Sequence, residues 1–186
     1  MTKPTGTDPL SMAIARCMML LANCNSVQSF LGAGDADEAY PRIHDTDIEY
    51  PAATQVTWTK NELDELRPFI TVEMDVSQGF RSVRTATDGT YNDGGRLQVM
   101  FERSLASGDG ETLATPKNAV VNMREEIGAI IAEMWEKHEQ AADADHDYIS
   151  LQSINLFGPL VSNHKEASES GEYVVAWLDI VYGNQQ

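Results

Sequence analysis

Apolar residues near the start of the chain recur close to a 3.6-residue period: Leu10, Ile14, Cys17, Met18 and Leu21, then Val27 and Leu31. Thr7 or Asp8 suits the N-cap and Pro9 the first helical position, while Gly32 and Gly34 lie just past the last periodic residue. The spacing predicts one amphipathic helix. A second is predicted from Thr115-Pro116, with Val120, Met123, Ile127, Ile130, Ile131, Met134 and His138 on one face. Glu125, Glu126, Glu133, Glu136 and Lys137 occupy the other.

Elsewhere the period changes to two. Ile70, Val72, Met74 and Val76 alternate with Thr71, Glu73 and Asp75, and Leu97, Val99 and Phe101 alternate with Gln98, Met100 and Glu102. These runs predict the arms of a β-hairpin whose long loop, 77–95, holds Asp88-Gly89 and Asn92-Asp93-Gly94-Gly95 as turn residues. A second hairpin is predicted from Ile149–Val161, with Ile154, Leu156 and Phe157 before Gly158-Pro159, and Tyr173–Tyr182. The closing strand is apolar on both faces: Val175, Trp177 and Val181 on one, Val174, Ala176, Leu178, Ile180 and Tyr182 on the other. Such a strand needs cover on both sides, from helices or from a neighbouring subunit.

The order α-ββ-α-ββ predicts a single α+β domain over 1–186. Its four-stranded, mainly antiparallel sheet would consist of two hairpins, with both amphipathic helices on one face. Residues 35–66 stand apart as an acidic insertion containing Pro41 and Pro51. Tyr40-Pro41-Arg42-Ile43 and Val56-Thr57-Trp58 read there as short extended pieces, and Asn61–Leu66 as one helical turn.

Charge narrows the functional classes. Thirteen Lys and Arg face 29 Asp and Glu, a formal net charge of −16 over 186 residues. A surface this acidic lacks the basic footprint of a duplex-binding module and is ill-suited to an anionic membrane. No apolar run is long enough to span a bilayer. Arg16 interrupts the apolar stretch Met12–Ala22 and no small-residue cleavage site follows it, which argues against a secretory signal. Cys17 and Cys24, two turns apart on the predicted first helix, are too distant to pair, so reduced, cytosolic chemistry is expected.

Catalytic signatures are missing. The glycines form no phosphate cradle, and neither a GxSxG elbow nor an HExxH pair occurs. His138 and His146 with Asp143, Asp145 and Asp147 read as an acidic helix end and loop; the aspartates lack the Gly and terminal Glu of a calcium loop. The cysteines have no neighbouring base and read as packing residues. We therefore expect no catalytic, metal or cofactor-binding residues. Arg81, Arg84 and Tyr91 in the long loop and Trp177 on the closing strand are the candidates for an interface.

The order and local texture from Leu10 to Tyr182 resemble the phage tail terminator and tail-completion family. The resemblance is carried by the opening helix, the Tyr40-Pro41-Arg42-Ile43 segment, and the Arg67-Pro68-Phe69-Ile70-Thr71-Val72 strand with its long loop. Leu97-Gln98-Val99-Met100-Phe101, the helix with Met123-Arg124-Glu125-Glu126-Ile127, and the strand Val174–Tyr182 continue it. Segment 36–65 is longer than compact members carry. The resemblance implies a non-enzymatic virion protein of the tail and neck, assembled in the host cytoplasm. It implies a homo-oligomeric ring, commonly a hexamer, between the tail tube protein and the head-tail connector, with DNA passing through the lumen without specific binding. The loop 77–95 is the expected contact to tube or connector. Three other readings compete: a different neck adaptor, an acidic DNA mimic, and a small-molecule-binding or enzymatic α+β domain.

Overall fold

The computed structural model describes residues 9–45, 66–74, 82–84, 91–93, 95–104, 116–141, 148–163 and 172–183. Their elements run, in chain order, α1 (Pro9–Ala22), α2 (Asn25–Leu31), α3 (Ala36–Ala39), a 3-10 turn (Tyr40–Arg42), β1 (Ile43–His44), β2 (Phe69–Met74), β3 (Ser82–Arg84), β4 (Tyr91–Asp93), β5 (Gly95–Ser104), α4 (Pro116–Ala141), β6 (Leu151–Asn163) and β7 (Glu172–Tyr182). The α+β class expected from the hydrophobic periods is the observed one.

Both hairpins form. β2 pairs antiparallel with β5, and β6 with β7. They join through an antiparallel β5–β7 ladder running from Gly95 opposite Tyr182 to Ser104 opposite Tyr173. The sheet nevertheless has five strands, in the order β1-β2-β5-β7-β6, and is mixed, because β1 adds to the β2 edge in parallel. This corrects the expected four-stranded antiparallel sheet. The extra strand comes from the acidic insertion, where Tyr40–Ile43 is expected to be extended throughout but only Ile43–His44 forms a strand. Tyr40–Arg42 turns as a 3-10 helix and delivers Ile43 beside Ile70, where Ile43 is 2% exposed. A two-residue strand carries no period to read, so only the tertiary pairing reveals it.

The first predicted helix is also divided. α1 stops at Ala22, Cys24 takes an extended conformation (φ −79°, ψ 125°), and α2 restarts at Asn25. The apolar stripe survives the break, since Cys17, Leu21, Val27 and Leu31 are all buried in the same core. Gly32 ends α2 in the left-handed region (φ 66°), as its position predicts, and its N–H and that of Ala33 close on the carbonyls of Ser29 and Gln28. Arg42 donates from Nη1 to the Leu31 carbonyl, which satisfies another of the carbonyls left over at that helix end. Asp35 then caps α3 by accepting from the Glu38 N–H at 2.9 Å, while Glu38 accepts from the Gly34 N–H at 2.7 Å.

The helices cover one face of the main sheet. Ile70 and Val72 of β2, Leu97, Val99 and Phe101 of β5, and Ala176, Leu178 and Ile180 of β7 are fully buried on that face. α4 lays Met123, Ile127, Ile130 and Met134 against it, four side chains whose burial contributes roughly 2 kcal/mol each. Phe30 of α2 meets Phe101 edge-on at 5.6 Å. At the end of β5, Arg103 stacks 4.6 Å over the Phe30 ring, donates to the Phe30 carbonyl and pairs with Glu126 of α4 at 2.9 Å. One arginine thus ties the sheet to two helices.

Candidate interaction surface

The face turned away from the helices follows from the ladder registers. One cross-strand row runs Thr71–Met100–Trp177–Phe157, and the next runs Phe69–Glu102–Val175–Leu160. A polar row, Glu73–Gln98–Asp179–Asn155, borders them on one side. Apolar surface therefore lies across the middle of this outer face and extends to β6, the edge strand.

Phe157 and Leu160 are three apart and would point to opposite faces under plain alternation. They share the outer face because the register shifts between them: Phe157 stands opposite Trp177 and Leu160 opposite Val175, with Gly158 and Pro159 looped out. Gly158 adopts φ +88°, and a Cβ there would approach the Val175 carbonyl oxygen at 3.2 Å, so the bulge requires glycine. Phe157 is 56% exposed and Leu160 44%. A Gly-Pro pair inside a strand pattern is the signal that marks the bulge and hence the shared face.

The other half of the outer face is closed by the chain itself. Arg67 and Glu102 form an ion pair at 3.1 Å with side chains 0% and 1% exposed. The Arg67 guanidinium also lies 4.4 Å over the Tyr173 ring. Phe69, Val175 and Tyr173 are buried beside them. The cover that the closing strand requires on its second face is thus partly intramolecular, which narrows the expectation drawn from its composition. Arg96 and Asp179 pair at 3.2 Å nearer the open end.

Of the interface candidates, Trp177 sits at the centre of the apolar row, half-buried between Met100 and Phe157. Arg84 and Tyr91 are direct cross-strand partners in the separate two-stranded ladder formed by β3 and β4. The predicted long hairpin therefore carries its own ladder within 77–95. Arg81 lies outside the described residues, as do His146 and Asp143, Asp145 and Asp147. The structure groups Arg84 with Tyr91 and Trp177 with Phe157 and Leu160, as two separate sets. Phe157 and Leu160 were not among the sequence candidates.

Titratable groups elsewhere serve packing. Cys17 and Cys24 are both free and buried, on α1 and at the α1–α2 break. Burial, reinforced by Cys24, pushes the Cys17 thiol up to about 12. Burial and then Glu133 push Cys24 to about 12 as well, against an opposing Lys137. Thiols held protonated in this way are poor nucleophiles. Glu133 of α4 reaches across to the start of α2, where its carboxylate accepts from the Asn25 N–H (2.6 Å), the Ser26 N–H (2.8 Å) and the Ser26 hydroxyl (2.6 Å). Partial burial raises its pKa, but the Ser26 and Asn25 donors and Lys137 outweigh that, and the net displacement is downward. His138 accepts through Nδ1 from the Leu151 N–H at 3.4 Å, which fastens the end of α4 to β6. On β1, burial lowers the His44 pKa against the opposing charge of Asp45.

Among the described residues no cluster of His, Cys, Asp and Glu could hold a metal ion. None of their helices is long and apolar enough to cross a membrane. A shallow hollow of about 250 Å³ lies between α1 and β1, lined by Ile14, Ala15, Met18, Tyr40, Ile43 and Asp45, with one carboxylate and no convergent polar set. No protein-family model matches the chain, and no curated protein sequence matches it.

Proposed function

We propose that this chain is a structural virion protein of the tail terminator type. In this reading identical subunits close into a ring, a hexamer, that caps the tail tube and meets the head-tail connector. It is assembled in the host cytoplasm, carries no catalytic, metal or cofactor site, and holds no membrane contact. The observation that carries the reading is the apolar row Met100–Trp177–Phe157 on the sheet face opposite the helices, with Leu160 beside it. A helix-covered sheet needs no apolar outer face for its own stability, whereas a subunit that packs laterally on its neighbours does.

Charge supports the same reading. A protein of net charge −16 lining a channel gives the DNA backbone no cluster of cations to hold, so passage proceeds without the counterion release that makes basic surfaces adhere. The β3–β4 ladder, carrying Arg84 and Tyr91, is the contact assigned to the tube or connector. Arg84 is a positive residue there in an otherwise acidic sequence.

Negative-stain imaging and light scattering of the purified protein, alone and with tail tubes that lack a terminal ring, test the proposal. The expected result is a ring of about six subunits seated on one end of each tube. A monomer or dimer that ignores tubes and competes with DNA for a nuclease would contradict it.

A further inference from the structure

The two edges of the main sheet are unlike. β1 is two residues long and is followed at once by Asp45, the short and charged kind of edge that resists pairing. β6 is thirteen residues long, and its outer edge has no strand partner among the described residues. Its sequence, Leu151–Asn163, contains no Asp, Glu, Lys, Arg or His, and neither do Tyr148, Ile149 and Ser150 before it. In a chain that is 23% charged, this is a conspicuous gap. The comparably long uncharged stretch Cys17–Gly34 builds α1 and α2, whose apolar residues fill the core. β6 instead presents its uncharged length at the sheet edge, with Phe157 and Leu160 exposed beside it. β6 carries two interruptions, the register shift between Leu151 and Ser153 and the Gly158-Pro159 bulge, and between them Ser153–Phe157 pairs with β7 as a regular run.

We infer that β6 is the self-association edge of this protein: its open backbone ladder, together with the Phe157–Leu160 knob, seats a second copy of the same chain. The inference rests on the oligomeric reading above and specifies which surface carries it. Charge selects the occupant. A basic partner would be recognised through carboxylates, and β6 has none. A second copy also carries −16, so it is repelled by every acidic region and can approach closely only where charge is missing. Strand addition at an edge provides main-chain hydrogen bonds without requiring charge, and the bulge places two large apolar side chains together to fix the register. In a ring the strand that completes the ladder and covers Phe157 and Leu160 comes from a surface of the neighbour other than its own β6, because β6 on β6 is a two-fold contact that closes a dimer.

Two consequences follow for measurement. Association through an uncharged edge between like-charged bodies strengthens with salt, because screening shortens the repulsion from about 30 Å at 0.01 M to about 8 Å at 0.15 M. Variants that place charge on the knob abolish association without unfolding the subunit, since both side chains already face solvent. The test is the mass of the full chain by light scattering at low and high salt, for wild type, F157K/L160K, F157L and the control V121K. Val121 is equally exposed, at 46%, but lies on α4.

The expected result is an assembled wild type, with association tightening as salt rises. F157K/L160K falls to the 20.5 kDa monomer with an unchanged melting temperature, while F157L and V121K assemble as wild type does. Amide exchange in β6 is expected to be slower in the assembled wild type than in F157K/L160K. A wild-type ring that F157K/L160K leaves intact overturns the assignment of β6 and leaves the ring reading standing. A wild-type dimer that the double variant dissociates upholds β6 and contradicts the ring. A wild type that stays monomeric at every salt concentration, with and without tail tubes, overturns both.

Discussion

The same strands of the main sheet present two faces with different fates. On the inner face, Ile70, Val72, Leu97, Val99, Phe101, Ala176, Leu178 and Ile180 are all completely buried under α1, α2 and α4. On the outer face burial is graded. Phe69, Glu102 and Val175 are 1–2% exposed, yet one strand further out Leu160 and Phe157 reach 44% and 56%. The inner face is complete as a monomer. The outer face is satisfied around the Arg67–Glu102 pair and unsatisfied toward β6, which is where a second molecule has surface to gain.

This contrast predicts a ladder of mutational effects. Phe101→Ala opens a cavity on the complete face, beneath Phe30, and is expected to cost about 4 kcal/mol in urea denaturation. A loss under 1 kcal/mol would mean that the inner face is loosely packed. Glu102→Gln removes the carboxylate charge from the buried Arg67–Glu102 pair, with an expected cost of about 3 kcal/mol. Adding Arg67→Met in the same chain should recover much of that loss, because the pair costs more to break than to replace.

Glu133→Gln is expected to cost about 1 kcal/mol at neutral pH through the weakened cap on α2. Because the folded pKa of Glu133 lies below its unfolded value, its contribution is complete above the ordinary value of 4.5 and is lost as pH falls through the lowered folded one. The variant should therefore lack that part of the acid limb, read from melting temperatures across pH. At the bottom of the ladder, Phe157→Ser should change monomer stability by no more than about 0.5 kcal/mol, since the side chain is mostly in solvent already. A large loss there would place Phe157 in the core of a single chain and erase the contrast between the faces.

Most of the inner face is legible in the sequence because it obeys simple periods. Met123, Ile127, Ile130 and Met134 follow a helical repeat and Leu97, Val99 and Phe101 a strand repeat, and all seven are buried together. The exceptions arise where tertiary contacts decide. The α1–α2 break leaves the apolar stripe unbroken, and its cap, Glu133, arrives from a helix more than a hundred residues later. β1 is too short to show a period and owes its strand conformation to pairing with β2. On the outer face, alternation named Trp177 but missed Phe157 and Leu160, because the bulge at Gly158-Pro159 resets which residues share a face. The second ladder inside 77–95 was hidden for a similar reason, since its two strands have three residues each.

We propose that the outer face near β6, incomplete in one chain, is completed by its neighbours. Its most direct test is the solution mass of the wild-type protein by light scattering across concentration. The expected result is a closed assembly of about six times the 20.5 kDa chain mass. A particle that remains at the mass of one chain throughout, with tail tubes as well as without, would contradict it.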